Sequence, residues 1–227
     1  MLGFEFAQRS GRALEVLCIG AHCDDIEIGC GGTLLELQRA YPGSRIHWIV
    51  LTSAPERYRE GMRAARAFLR RSVRATIDIG ALRDGFLPDQ FGEVKERFER
   101  LKDTIAPDLI LTHHECDRHQ DHRLLSDLTW QTFRDHLIWE YEIPKYDGGL
   151  TTPNVYIPLG RSVAARKADT LMKSFASQRH KTWFTRDNFF ALMRLRGLEC
   201  RSPSGFAEGF HCRKLVGSLS RRAPRGR

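Results

Sequence analysis

Short apolar runs alternate along the first part of the chain with segments in which apolar residues recur every three or four positions. The runs are too short for helices and are rich in Val, Ile and Leu, which is typical of buried strands. They predict strands at 14–22, 45–53, 74–82 and 108–114. The periodic segments predict helices at about 31–41, 56–71, 91–107 and 122–137.

Strands that alternate with helices predict an α/β fold, because parallel strands need helical crossovers between them. We expect a single-domain, Rossmann-like three-layer sandwich with a mostly parallel sheet and its site at the C-terminal ends of the strands. The stretch "WEYEIPKYDGGLTTPNVYIPLG" (139–160) is rich in aromatics, Pro and Gly and predicts a loop or irregular strand over that site. Two more helices are predicted at 166–178 and 186–197.

Composition indicates an ordinary soluble protein of 227 residues, with 41% hydrophobic and 28% charged residues and a net charge of +8. No apolar run approaches 18 residues and the N-terminal stretch lacks the pattern of a leader peptide, so we expect a cytoplasmic protein without a membrane span. None of the six cysteines forms a C-x-x-C pair, which favours free thiols. We expect one domain over 1–217.

The C-terminal stretch 218–227 is basic and polar, and we expect it to be disordered. A charge run of this kind is usually solvated surface. Attraction of anionic substrates, membranes or nucleic acid is the less favoured interpretation, and we do not expect nucleic acid as a partner.

Candidate chemistry lies in two stretches. "GAHCDDIEIGCGGT" (20–33) places a histidine and two adjacent aspartates directly after the first predicted strand. "HHECDRHQDH" (113–122) places four histidines and two aspartates after the fourth. Adjacent carboxylates repel unless a cation offsets their charge. Since both stretches follow strand C-termini, we expect them to share one metal site.

The donor types predict two imidazole ligands and one carboxylate ligand, with a position left for water. That set is typical of catalytic zinc, although iron or manganese can bind the same ligands. A nucleotide loop is a poor alternative, because the order G-C-G-G-T is not G-x-G-x-x-G and the acidic residues would repel a pyrophosphate. We expect the glycines instead to form a tight turn into the following helix.

The two stretches together resemble the LmbE-like, or PIG-L, family of zinc-dependent N-deacetylases. The family motif A-H-P-D-D-x-x-x-G-x-G-G-T is present as "AHCDDIEIGCGGT", and H-x-x-D-x-H-x-D-H is present as "HECDRHQDH". The resemblance extends to about residue 130. One departure is Cys23 where the family usually has proline, which places a thiol near the metal and makes it a candidate fourth ligand.

The resemblance implies removal of an N-acetyl group from an N-acetylglucosamine-type amino sugar or its conjugate, with Zn²⁺ as cofactor. The implied roles are metal ligation by His22, Asp25 and His122, general base catalysis by Asp24, oxyanion stabilisation by a protonated His119, and orientation of that imidazole by Asp121. His113 is either a residue that supports this site or simply the last residue of its strand. Asp117 either braces its loop or contacts substrate.

Three residues are candidates for substrate binding. Arg57 matches an arginine near the family's substrate pocket, Lys145 can meet a phosphate, and Glu208 can contact a sugar hydroxyl or amine. The alternative for Arg57 is a solvated arginine on a helix, and the alternative for Lys145 is packing in a lid. Two other functions stay open: an amidase for a different N-acyl conjugate, and a non-catalytic metal-binding protein. The resemblance also allows a homo-oligomer.

Overall fold

The computed structural model describes residues 3, 4, 6, 13–69 and 74–217. Its strands are β1 (Glu15–Gly20), β2 (Arg45–Thr52), β3 (Arg74–Leu82), β4 (Leu109–His113), β5 (Ile138–Tyr141), β6 (Val155–Pro158) and β7 (Ala207–His211). Its helices are α1 (Asp25–Ala40), α2 (Pro55–Phe68), α3 (Phe91–Thr104), α4 (Gln120–Thr132), α5 (Arg161–Ser174) and α6 (Arg186–Glu199).

All seven strands form one sheet in the order β3-β2-β1-β4-β5-β7-β6. The five strands from β3 to β5 are parallel, and β7 pairs antiparallel with both β5 and β6. The predicted single-domain α/β fold with a mostly parallel sheet is therefore confirmed. The strand order reverses between β1 and β4, so their C-terminal ends border the crevice in which such sheets bind ligands.

The sheet is covered on both faces, as its continuous apolar strands require. Along β1, Val16 and Cys18 join one buried cluster with residues of α1, α2 and α5. Leu17 and Ile19 point the opposite way and join a second cluster with residues of α3 and α4. This alternation is the period of two of an extended strand, and it produces the three layers.

Helix α1 begins at Asp25, about six residues before the predicted start. The expectation of a tight turn at the glycines is wrong, because Gly29 and Gly31 lie inside the helix. A Cβ atom at Gly29 would be 2.2 Å from the Tyr141 ring, and one at Gly31 would be 2.6 Å from the Phe68 ring. The glycines thus let α1 approach two buried aromatic rings, and the helix carries the aspartate pair at its N-terminus.

The stretch after residue 137 is more regular than its composition predicts. β5 and β6 lie where we expected a loop or an irregular strand, and β7 was not predicted at all. β5 pairs with β4 and β7, and β6 pairs with β7, so each of these short strands has a neighbour in the sheet. The predicted tail at 218–227 lies outside the described residues, and the domain boundary at 217 stays a prediction. No helix in the described part of the chain is both long and apolar enough to cross a bilayer.

Candidate metal centre

Three donor atoms converge at the C-terminal edge of the sheet. His22 follows β1, Asp25 begins α1, and His122 lies in the first turn of α4. Nδ1 of His22 is 3.1 Å from Nε2 of His122. Oδ2 of Asp25 is 3.3 Å from the first of these nitrogens and 3.5 Å from the second. Ligands of a tetrahedral zinc ion lie about 3.3 Å apart, so these atoms are spaced to share one cation.

Both imidazoles are backed by carboxylates on their other nitrogen. Nδ1 of His122 is 2.9 Å from Oδ2 of Asp117. Nε2 of His22 is 3.0 Å from Oδ1 of Asp84 and 3.3 Å from Oδ2 of Asp121. A carboxylate behind a ligating histidine fixes the tautomer and the ring orientation. The other nitrogen of each ring, Nδ1 of His22 and Nε2 of His122, then faces Asp25.

His113 belongs to the same cluster rather than only ending its strand. The ring is fully buried and stacks on His122 with centroids 3.8 Å apart. Its Nε2 lies 3.2 Å from Oδ2 of Asp25 and 3.0 Å from the backbone nitrogen of Ala21. His113, Asp25 and His122 form one of three overlapping sets of potential donors whose atoms lie within 4.8 Å of one another.

The charges of the cluster stabilise one another. Burial opposes ionisation of Asp25, but the nearby His122, His113 and His22 outweigh it and hold the pKa of this carboxyl well below its usual range. Burial likewise opposes protonation of His22, yet the Asp25 charge and hydrogen bonds to carboxylates raise its pKa well above the usual value. The pKa of His122 is raised in the same way. The site favours positive charge beside a buried carboxylate, which a metal ion also supplies.

Asp24 is a second carboxylate at the site and is not one of the three converging donors. Its Oδ1 accepts from Nη2 of Arg57 at 2.7 Å. Nη1 of the same arginine is 3.2 Å from Oε2 of Glu60, and the guanidinium carbon lies 5.0 Å from the centroid of the Phe175 ring. Arg57 is therefore brought to the site, where it holds Asp24 rather than standing in solvent.

His119 and Asp121 are both at the site, but not in the predicted relation. The Asp121 carboxylate accepts from the backbone N–H groups of Gly85 and Leu87 and faces His22. It does not orient the His119 ring. Nδ1 of His119 instead accepts from the backbone N–H of Asp121 at 3.2 Å, as the N-cap of α4.

The protonation state of His119 also differs from expectation. Burial, together with the charges of the neighbouring His122 and His22, lowers its pKa to about 4. The Asp121 charge only partly offsets this effect. His119 is therefore neutral near pH 7, and because its Nδ1 accepts a hydrogen bond, its proton is on Nε2.

Glu208 does not join the cluster. Its carboxylate accepts from the backbone N–H groups of Gly32 and Thr33 at 2.8 and 2.6 Å and pairs with Lys167 at 2.5 Å. The side chains of both ionic partners are at most 4% exposed. The predicted contact of Glu208 with substrate is therefore corrected to a structural role, because its hydrogen bonds are used inside the protein.

Lys145 lies beside the centre but is paired. Its Nζ is 2.6 Å from Oδ2 of Asp117 and 3.5 Å from Oδ2 of Asp147. Cys23 is buried, and burial raises the pKa of its thiol to about 12. It contacts the Thr52 carbonyl and belongs to none of the donor sets found among the described residues. Its absence from those donor sets argues against Cys23 as a fourth ligand.

Sequence reasoning missed Asp84. This residue lies in an exposed loop directly after β3 and reaches His22 from outside. A usable signal was present, since "RDG" follows a predicted parallel strand and the C-termini of parallel strands meet at one edge. An isolated aspartate before glycine more often marks a turn, and nothing in the chain pattern links it to a histidine 62 positions earlier.

Comparison with known proteins identifies the family to which this site belongs. The PIG-L model, described as GlcNAc-PI de-N-acetylase, matches residues 17–133, which are just over half of the chain. The uncharacterized deacetylase YaiS of Escherichia coli (strain K12) is 32% identical over 119 residues. That match covers 47% of this chain and 61% of YaiS, so the chain spans less than two thirds of this relative.

Two solved structures share the fold with quite different chemistry. N,N'-diacetylchitobiose deacetylase from Pyrococcus horikoshii superposes with a TM-score of 0.65 at 17% identity, over 92% of this chain and 87% of that one. The 4-carboxy-2-hydroxymuconate hydratase GalB from Pseudomonas putida KT2440 superposes with a TM-score of 0.69 at 16% identity, over 91% and all of that chain. Likeness at this level of identity shows the fold alone. The family match spans both motif stretches and all three converging donors, and the chain therefore belongs to the PIG-L (LmbE-like) deacetylase family.

Proposed function

We propose that the protein is a zinc-dependent hydrolase that removes the N-acetyl group from an N-acetylglucosamine-type amino sugar or its conjugate. The family and its deacetylase relatives support the reaction class. The observation that carries the proposal is Asp24, a buried carboxylate that is held by Arg57 and comes directly before the converging donor Asp25 in the chain. A protein that only binds metal has no use for this fourth group.

The residues present fit a divalent ion. Two imidazole nitrogens and one carboxylate oxygen are the mixed donors of catalytic zinc sites, and His22, Asp25 and His122 would hold the ion. When bound, zinc lowers the pKa of water towards about 7 and polarises a carbonyl oxygen. Asp117 and Asp121 would keep the imidazoles in the tautomer that such binding requires.

Asp24 is the proton carrier in this proposal. Its carboxylate accepts the proton of the water that attacks the amide carbon and returns it to the leaving nitrogen. Arg57 donates to Oδ1 of Asp24 at 2.7 Å and so restrains the carboxylate, and in this proposal Oδ2 takes the proton of the water. Arg57 is then a positioning residue for Asp24, and a substrate contact is a further role that we propose for it.

His119 acts as a neutral donor. Since Nδ1 is engaged by the backbone of α4, the proton on Nε2 is available to the oxygen that becomes negative as the amide carbon turns tetrahedral. A neutral imidazole donates a hydrogen bond without moving its proton. This assignment keeps the predicted residue but replaces the predicted imidazolium with an imidazole.

The test combines metal analysis of the purified protein with detection of free amine by fluorescamine on a set of N-acetyl and other N-acyl amino sugars. We expect about one zinc per chain and release of amine from N-acetyl substrates. Asp24→Asn should lower kcat by about 10²–10⁴ with an unchanged zinc content. Wild-type turnover in Asp24→Asn would disprove the role of Asp24 as general base. Activity confined to other acyl groups would favour an amidase for a different N-acyl conjugate.

A further inference from the structure

Helix α2 is joined to a segment from the C-terminal third of the chain. Glu60 lies one turn after Arg57 on this helix, and its side chain is 6% exposed. Its Oε1 accepts from the backbone N–H of Ser177 at 2.9 Å, and its Oε2 accepts from the Ser177 hydroxyl at 2.6 Å. Ser177 belongs to the short 3₁₀ turn Ala176–Gln178, which follows α5. Both oxygens of Glu60 are therefore fixed by a residue 117 positions later in the chain.

Glu60 in turn contacts Arg57, the residue that holds Asp24. Nη1 of Arg57 donates to Oε2 of Glu60 at 3.2 Å, while Nη2 of the same guanidinium lies 2.7 Å from Oδ1 of Asp24. The guanidinium also lies over the ring of Phe175, which is fully buried. A free arginine side chain samples many rotamers, so these three contacts together select one place for the guanidinium.

The two terminal nitrogens of Arg57 are divided between two carboxylates, Nη2 with Asp24 and Nη1 with Glu60. An arginine that meets a single carboxylate often donates from both nitrogens in parallel. Such a bidentate pair stabilises the ionised carboxylate more than a single hydrogen bond does, which makes that carboxylate a weaker base. The contact with Glu60 therefore affects how strongly Arg57 can bind Asp24.

We propose that Glu60 is a positioning residue for the reaction, which binds Nη1 of Arg57 and so keeps Arg57 from contacting Asp24 with both terminal nitrogens. The inference rests on the proposed function, in which Asp24 carries the proton. It also gives the Ser177 turn a task at the site, although this turn lies outside residues 17–133 of the family match. Glu60 acts through Arg57 alone, and this dependence can be tested.

Glu60→Gln keeps the shape of the side chain but changes one acceptor into a donor. The backbone N–H of Ser177 requires the amide oxygen, so the amide NH₂ group would face Nη1 of Arg57, donor against donor. We expect kcat of the zinc-loaded variant to fall by about tenfold or more. KM should change by less than about twofold, because the proton carrier is affected rather than substrate binding.

Glu199→Gln is the matched control for the loss of an ion pair. Glu199 pairs on α6 with Arg196, three residues before it, as Glu60 pairs with Arg57 on α2. This variant should keep the wild-type kcat. A wild-type kcat in Glu60→Gln, or an equal loss in the two variants, would overturn the proposal.

A double-mutant cycle separates positioning from support of the fold. Arg57→Met removes the guanidinium, so in this background Glu60→Gln should change kcat by less than about twofold. A loss as large as in the wild-type background would show that Glu60 acts independently of Arg57, and would overturn the proposal. If Glu60→Gln does not fold, Ser177→Ala replaces it, because it removes one donor to Glu60 and keeps the backbone N–H. It should lower kcat in the wild-type background only, and any other result counts against the proposal.

A crystal structure of zinc-loaded Glu60→Gln distinguishes failure of this inference from failure of the proposed function. We expect Arg57 to turn so that Nη1 and Nη2 both contact Asp24. An Arg57 that still contacts Asp24 through Nη2 alone would overturn the proposal, whatever the kinetics. If the wild-type protein releases amine from no N-acyl substrate, the hydrolase assignment fails, yet the turned Arg57 would still show that Glu60 positions it.

Discussion

Asp117 connects three residues around the candidate metal centre. Its Oδ2 faces Nδ1 of His122 and Nζ of Lys145, and its Oδ1 accepts from the backbone N–H of His119. Burial opposes ionisation of Asp117, but the contacts with His122 and Lys145 outweigh it and hold the pKa of this carboxyl well below its usual range. The structure thereby decides between the two sequence interpretations of Asp117 in favour of bracing.

Asp117→Asn is expected to weaken zinc binding by about 10- to 100-fold, because the amide cannot fix His122 as a carboxylate does. Competition with a chromophoric chelator measures the affinity. Asp147→Asn is the matched control, since Asp147 also pairs with Lys145 but has no contact with His122 among the ion pairs of the described residues. Equal affinities of the two variants would contradict the role of Asp117.

The raised pKa values of His22 and His122 predict a pH dependence of metal binding. Zinc requires neutral imidazoles, so protons compete with it at every pH below these raised values. The apparent affinity should therefore fall as the pH decreases, and the loss should begin above pH 6.5, by up to about tenfold per pH unit for each imidazole. Calorimetric titration in buffers of different ionisation heat measures both the affinity and the protons released. An affinity that is constant from pH 8.5 to 6.5 would contradict the prediction.

At the scale of elements, α1 determines where the aspartate pair stands. The helix packs so closely on the sheet and on α2 that glycine is required at its contact points, as the Tyr141 and Phe68 rings show. Sequence reasoning found the helix but began it too late, because glycine normally lowers helix propensity. The close approach that makes glycine favourable here depends on rings more than 35 residues away along the chain.

Gly29→Ala is expected to lower the free energy of unfolding by about 1–3 kcal/mol, since the added methyl group meets the buried Tyr141 ring. Gly92→Ala, in the first turn of α3, is the control. Apart from its chain neighbours and the backbone of its own helix, nothing lies within 4 Å of a Cβ at that position, so the change should be neutral or slightly stabilising. Urea unfolding of both variants measures the difference. A Gly29→Ala protein as stable as the control would mean that the ring moves aside freely.

At the scale of the whole molecule, a buried ion pair ties the C-terminal third to the helix of the site. Lys167 of α5 pairs with Glu208 of β7 and donates to the Ile28 carbonyl at 2.5 Å, while Glu208 accepts from two N–H groups of α1. Three elements far apart in the chain thus meet one to two turns after Asp25. Such a pair is costly to disrupt because its remaining partner is left buried and charged.

Glu208→Gln is expected to destabilise the protein by about 3–5 kcal/mol, the range found when one partner of a buried pair is removed. Asp169→Asn breaks the pair with Arg186, whose side chains are 47% and 50% exposed, and should cost less than about 1 kcal/mol. Thermal or urea unfolding compares the two. If Glu208→Gln is stable but loses activity, Glu208 touches substrate after all, and the structural assignment is wrong.

The sequence by itself determined the class of the fold, the first four strands and the two stretches that meet at the site. It could do so because these features are local in the chain. A buried strand is a continuous apolar run, and each cluster of histidines and carboxylates lies within a few consecutive residues. It also indicated the edge of the sheet at which the candidate donors meet, because parallel strands bring their C-termini together.

Only the tertiary structure decided the pairings that join distant residues. Five features depend on contacts with another element of the fold. They are the start of α1, the strands β5 to β7, the place of Asp84 beside His22, the partner of Asp121 and the burial of Glu208. A backbone group or a charge is stabilised by whichever partner lies within hydrogen-bond distance, and that distance is set by packing of the whole chain rather than by the order of its residues.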